Sequence, residues 1–441
     1  MFKHIEIVGE VNMRNLIRIL TIISALVVVL SATACTKDNK YGINNYTIVY
    51  SDNGDVEYQN YGEGTTEQTV YELGSNGKTV AAYVALRMVD DGLLDLDEKI
   101  YPYLDDSLRT DDPRLQEITL EELLCHTAGF SPSYELGIDK KIYSDPGTEF
   151  RYSGVGYIYL QNVIENAGGM TMDQAAAKYV FEPMGMKNST FESAKTITPY
   201  MNLSNAVLYS MLVFVVAFIV LLVVVSIIGK LSKHKLYSFK TGFAVSFIIA
   251  GIINLVFLLF FFVSKVFVLF LIVFAVMGLV LILTRKNKKL FYICAPAILV
   301  LTLILGFTLP VSVPVTNDLI AKEANCAYSF KSTPEDMALF CNGLMEGYND
   351  PDDICRKMFA PAVVIDQENM WGLGIAIESE GEDVATYWHS GINPGFQSLY
   401  VLYPEENKYI VVLTNSDNGL DFAIENAGAY FGFKGKWQIK R

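Results

Sequence analysis

Alternation opens the chain's readable pattern. In YTIVYSDNGDVEYQNYG, residues 46–62, apolar and polar positions interleave on either side of DNGD, which predicts two strands joined by a tight hairpin. The period changes after Gly74. Val80, Val84 and Met88 recur at four-residue spacing with Ala85 and Leu86 beside the stripe, so an amphipathic helix is expected to about Asp90, ended by the glycine of DDGLLDLDEKI. A third pattern fills the middle of the chain. The runs 206–229, 242–263, 266–284 and 290–312 are apolar almost without interruption. Each approaches the roughly 20 residues of a membrane span and exceeds the apolar stripe of a globular helix, so four transmembrane helices are expected.

Charge sharpens that division. Of 441 residues, 51% are apolar, yet 48 are acidic. None of the acids falls in 201–312, which holds nine Lys or Arg. Setting aside those nine cations and the net +1 of residues 1–34, the total of −14 leaves −24 on the remainder. That balance argues against nucleic acid as a partner and suits a small-molecule or cell-wall peptide substrate. The basic loops KLSKHKLYSFK and RKNKK would be cytoplasmic by the positive-inside rule. Four spans then return the chain to its starting side, and 36–204 and 313–441 would both lie outside a cell membrane crossed several times. With no acid or arginine inside the spans, a transporter or proton relay is not expected.

Residues 13–35, MRNLIRILTIISALVVVLSATAC, have the basic, apolar and small-residue sections of an export signal. Cys35 stands where a lipoprotein would be lipidated; simple cleavage and an uncleaved anchor are the alternatives. The six cysteines form no CxxC pair and the four histidines show no metal-ligand spacing, so neither metal nor cofactor is expected. Cys326, Cys341 and Cys355 could form a disulfide or stand as buried thiols. Domain limits follow: 1–35 signal, 36–204 first part of the outer domain, 205–312 membrane bundle, 313–441 second part. No feature sets an oligomeric state.

The stretch VYELGSNGKT places Ser75 one turn before Lys78 at a predicted helix start. There the helix dipole and a nearby amine could activate a hydroxyl for acyl transfer. Spacing alone is weak support, because Ser232 and Lys235 repeat it within a basic loop. The neighbours add more. DGLLDLDEKIYPYL, ITLEELLCHTAGF, PGTEFRYSGVGYIYL and FEPMGMKNSTF follow, and beyond the apolar runs STPEDMALFCNGL, WGLGIAI and WHSGINPGFQSLYVLY.

This ordered set resembles the serine beta-lactamase-related family, which groups class C beta-lactamases, D-alanyl-D-alanine carboxypeptidases and esterases, over about 50–195 and 324–432. The resemblance implies an α+β fold, an antiparallel sheet flanked by helices with a helical lobe, here interrupted by the four-helix transmembrane bundle. It implies Ser75 as the acylated nucleophile, Lys78 as its base and Tyr152 as the residue sharing proton transfer. His389 and Gly391 match the third motif, and the N–H groups of Ser75 and Ile392 would form the oxyanion hole.

Three departures follow. Gly154 stands where an Asn amide would hold the substrate's acyl-amide group. His389 replaces the Lys of the best-known members, so a carboxylate would be anchored less firmly. The helix before the first strand is short or missing, leaving the C-terminal helix to cover that sheet face. His126 reads as structural, fixing a loop at a helix end. The expected function is a membrane-embedded extracytoplasmic serine hydrolase acting on esters, amides or D-amino-acid peptides. The alternative is a non-hydrolytic membrane sensor that binds cell-wall peptides or beta-lactams.

Overall fold

The computed structural model describes residues 41–132, 138–202, 246, 249, 312–314, 324–380 and 384–438. Ile43–Met201 and Pro314–Arg441 form one compact unit, while the other unit, Met1–Gly42 with Asn202–Val313, falls almost wholly outside the described residues.

The predicted hairpin is present. Strand β1 (Tyr46–Asp52) pairs antiparallel with β2 (Asp55–Tyr61), Asp52 opposite Asp55. Asn53 and Gly54 turn the chain with φ of 52° and 89°, the positive pair that a two-residue hairpin needs. The short strand β3 (Tyr71–Gly74) leads into helix α1 (Gly77–Asp90), whose length matches the Val80, Val84, Met88 stripe. Helix α2 (Leu120–Leu124) carries a capping box between Thr119 and Glu122, and α3 (Gly154–Gly168) starts at Ser153. After strand β4 (Tyr200–Asn202) come β5 (Ser312–Pro314), β6 (Phe330–Ser332) and helix α4 (Pro334–Asn349). Strands β7 (Val363–Val364), β8 (Asn369–Trp371), β9 (Ala376–Glu380), β10 (Val384–Asn393), β11 (Phe396–Tyr403) and β12 (Lys408–Thr414) precede helix α5 (Gly419–Phe431).

Eight of these strands form one sheet in the order β2-β1-β12-β11-β10-β9-β8-β7. Both chain segments are therefore woven into it, since β1 is held by β12, Tyr46 opposite Thr414. Alternation assigns the faces. Tyr46 and Tyr50 meet Phe422 and Tyr430 of α5. The odd-numbered face carries Ser51, whose cross-strand partner Tyr409 donates to the Ala338 carbonyl of α4. Tyr400, on that same face, reaches Thr79 of α1. Helices thus cover both faces, and β10 to β12 are buried along almost their whole length, as a doubly covered sheet requires.

One part of the expected architecture is corrected. The described fold is the antiparallel sheet with its helices, without a membrane bundle: no helix among the described residues is long and apolar enough to cross a membrane. The four apolar runs, like Cys35, the first helix of the family pattern and the Ser232 to Lys235 repeat, lie outside the described residues, apart from single positions and the strand at Ser312. At the borders of the central segment, β4 pairs with β5, so the points where the chain leaves and re-enters the compact unit adjoin.

Candidate active site

Ser75 sits where β3 turns into α1, and glycines on both sides make that turn possible. Gly74 has φ of +50°, and a Cβ on it would lie 2.9 Å from the Ile392 backbone nitrogen. A Cβ on Gly77 would lie 2.7 Å from Phe330 Cβ and 2.8 Å from Phe191 Cε1. A register shift between Glu72 and Gly74 in the β3–β6 pair bends the strand just before the serine, a common device for re-aiming a side chain. The first turn of α1 then brings Lys78 round. Its Nζ donates to Ser75 Oγ at 2.9 Å and to the Ala327 carbonyl at 2.6 Å. Both residues are buried, Lys78 to 1% exposure.

Two tyrosine rings face that amine, Tyr152 at 5.1 Å and Tyr157 at 5.7 Å from Nζ to ring centroid. Their chemistry differs. Burial pushes the Tyr157 phenol well above its ordinary range, and its hydroxyl donates to the Leu124 carbonyl. Tyr157 is therefore held protonated, while Tyr152 is only half-buried.

Tyr152 owes its place to His126. At φ of 62°, just past α2, His126 accepts the Ser153 backbone N–H on Nδ1 at 3.1 Å, and its carbonyl accepts from Arg151 N. Its ring packs 4.5 Å from that of Tyr152 and 5.0 Å from that of Tyr157, centroid to centroid. Burial first, then the charges of Lys78 and His389, drive its pKa well below 6.5, so the ring is neutral. With Nδ1 accepting, Nε2 bears the proton, and that buried nitrogen has no hydrogen-bond partner among the described residues. The structural reading of His126 holds, and the loop it fixes is the one that carries Tyr152.

Strand β10 forms the opposite wall. Its pairing with β9 stops at Trp388 opposite Ala376, while pairing with β11 continues to Asn393. Gly391 is tied to the serine strand by close contact, since a Cβ there would lie 1.7 Å from the Leu73 carbonyl oxygen. On β11, Ser398 Oγ donates to that same carbonyl and accepts from Asn76 Nδ2. Ile392 is 40% exposed. His389 is buried, its ring 6.1 Å from that of Tyr152, and its Nδ1 lies 2.9 Å from the Ser390 carbonyl. A carbonyl only accepts, so Nδ1 carries the hydrogen there. Gly154 begins α3, its N–H donating to the Pro132 carbonyl.

Ser75, Lys78, Tyr152, His389, Gly391 and Ile392 thus gather around one turn. The sequence reading missed the Ala327 carbonyl, a main-chain group without a sequence signature, and Glu72 and Asn393. The signal for Glu72 was a charge inside the short buried strand that leads to the serine. Cys125, Cys326, Cys341 and Cys355 are buried free thiols, which settles against a disulfide among the last three.

A family model described as Beta-lactamase matches residues 30–200 and 311–431. A putative D-alanyl-D-alanine carboxypeptidase of Salmonella agona (strain SL483) is 26% identical over 159 residues, covering 30% of this chain and 37% of its own. Penicillin-binding protein 4 of Amycolatopsis lactamdurans is 26% identical over 149 residues, covering 30% and 39%. The chain thus spans under two fifths of these relatives. Among solved structures, the octameric penicillin-binding protein homologue from Pyrococcus abyssi superposes with TM-score 0.57 at 16% identity, over 94% of this chain and 78% of that one. A class C beta-lactamase mutant does so with TM-score 0.57 at 15% identity, over 92% and 97%.

Proposed function

Because this chain belongs to the beta-lactamase family, we propose that it is a serine hydrolase acting through an acyl-serine on uncharged esters. The observation that supports the chemistry most directly is the 2.9 Å hydrogen bond between Lys78 Nζ and Ser75 Oγ at the buried start of α1. In its neutral form the Lys78 amine takes the hydroxyl proton as Ser75 Oγ adds to the carbonyl carbon. The backbone N–H groups of Ser75 and Ile392 receive the oxyanion. The carbon–oxygen bond to the leaving alcohol then breaks, with its proton supplied through Tyr152. Water adds to the acyl carbon by the reverse route, giving a carboxylic acid and restoring Ser75.

The substrate class rests on groups that could hold a peptide. At Gly154 there is no side-chain amide for an acyl-amide group. His389 spends its Nδ1–H on the Ser390 carbonyl and is 1% exposed, so it is a poor anchor for a carboxylate. Ile392 instead offers an apolar surface. These features favour an uncharged ester over a D-amino-acid peptide with a free carboxylate. The leader-like residues 13–35 support an extracytoplasmic position.

A membrane-impermeant fluorescent fluorophosphonate tests these points together. Expected is labelling of intact cells equal to that of lysed cells, lost in Ser75→Ala, with faster turnover of an acetyl ester than of one bearing a carboxylate. Labelling that survives Ser75→Ala would sink the assignment of the nucleophile. Labelling only after lysis would sink the outer location. Labelling without turnover of any ester would leave a binding or sensing role.

A further inference from the structure

The catalytic reading leaves unused a buried polar chain beneath the serine. Asn393, the last residue of β10, spends both hydrogens of its amide: Nδ2 donates to Glu72 Oε2 at 2.7 Å and to the Tyr328 carbonyl at 2.9 Å. Glu72 lies in β3, three residues before Ser75, at 2% exposure, and stands opposite Lys331 of β6. Lys331 is itself fully buried and donates to the Ser329 carbonyl at 2.8 Å. The residue before Tyr328 is Ala327, whose carbonyl holds the Lys78 amine. A buried carboxylate is tolerated only where hydrogen bonds and a facing cation compensate it. Here the compensation comes from two segments, β10 through Asn393 and the segment of Ala327 and Lys331.

The place of this chain matters because of how β10 ends. The ladder with β9 ends at Trp388 while that with β11 continues to Asn393, and Gly391 packs closely against the Leu73 carbonyl. The Asn393–Glu72 bond is a tether at the strand's far end, one residue past Ile392. The space between is filled by Gly74, where an added Cβ would meet Ile392 N at 2.9 Å and Asn393 Oδ1 at 3.2 Å.

We propose that Glu72 and Asn393 form a clasp that sets the spacing between the Ser75 and Ile392 backbone N–H groups, both acting as positioning residues for the oxyanion hole. The proposal rests on the hydrolase reading. Donors of this kind act only when aimed at the developing charge, and a misplacement of about 1 Å can cost about 100-fold in rate. Loosening the clasp therefore weakens the transition state more than the bound substrate.

The experiment compares full-length wild type with Asn393→Ala and Glu72→Gln, the latter leaving an oxygen for Asn393 to donate to. Turnover of an acetyl ester and the rate of Ser75 phosphonylation by a fluorophosphonate are measured per folded molecule, the folded fraction taken from near-UV circular dichroism. In Asn393→Ala, kcat and the phosphonylation rate should fall together by about 10- to 100-fold while KM moves less than about 3-fold. Glu72→Gln should lose less. Wild-type rates per folded molecule in Asn393→Ala would overturn the clasp, as would a loss carried wholly by KM. An inert wild type would instead remove the hydrolase reading and the clasp with it.

Discussion

A single neutral imidazole connects the loop that carries Tyr152 to the pH response of the fold. His126 is buried with its Nδ1 already accepting, and its pKa lies well below 6.5. The unfolded chain titrates this group near 6.5, so below that pH it binds a proton that the folded chain does not. Stability from this site is complete above about 6.5 and is lost as pH falls, by up to about 1.4 kcal/mol per pH unit until the folded pKa is reached. Melting temperatures at pH 7.5 and 5.5 should therefore differ more in wild type than in His126→Gln; an equal drop in both would remove His126 from this account. At this scale the sequence was legible where chemistry is local. Ser75 and Lys78 are three positions apart at the start of α1, and Tyr152 and His389 sit in short motifs. Asn393 and Glu72 are 321 positions apart, and no pattern in either neighbourhood says that the two touch.

Among elements, the hairpin and α1 were the most legible, because each is specified by contiguous residues. DNGD gave the turn, and Asn53 and Gly54 both adopt positive φ. Gly54 has open space around it, with nothing within 4 Å of an added Cβ, so Gly54→Ala meets only the backbone cost of a left-handed residue, about 1–2 kcal/mol. A lower melting temperature with unchanged Ser75 labelling is expected; unaltered stability would show that the turn does not need glycine. Less legible was the far end of β10. The composition of WHSGIN does not reveal that β9 stops beside Trp388, because strand length is set by the partner. The membrane bundle had the strongest apolar signal of all. Yet the described elements form a sheet-and-helix fold without it.

For the whole molecule, the decisive fact is that 43–201 and 314–441 complete one sheet between them, with β4 and β5 pairing at the borders of the central segment. Replacing 203–311 by a short Gly-Asn turn should leave a folded unit whose Ser75 still reacts with a fluorophosphonate, since a shorter closed loop lowers the entropy of joining its ends. Loss of circular dichroism and labelling together would show that the central segment is needed for folding. The weave also imposes a timetable. Asn45 and Asn415, 370 positions apart, hold each other across the β1–β12 edge. At roughly 5–20 residues per second of synthesis, β1 waits some tens of seconds for its partner strand. Throughout that interval the serine is already made but has no Ile392 opposite it. On the proposed mechanism, a chain that ends before Ile392 lacks one of the two oxyanion donors, so such a fragment should react with a fluorophosphonate more slowly than the full chain.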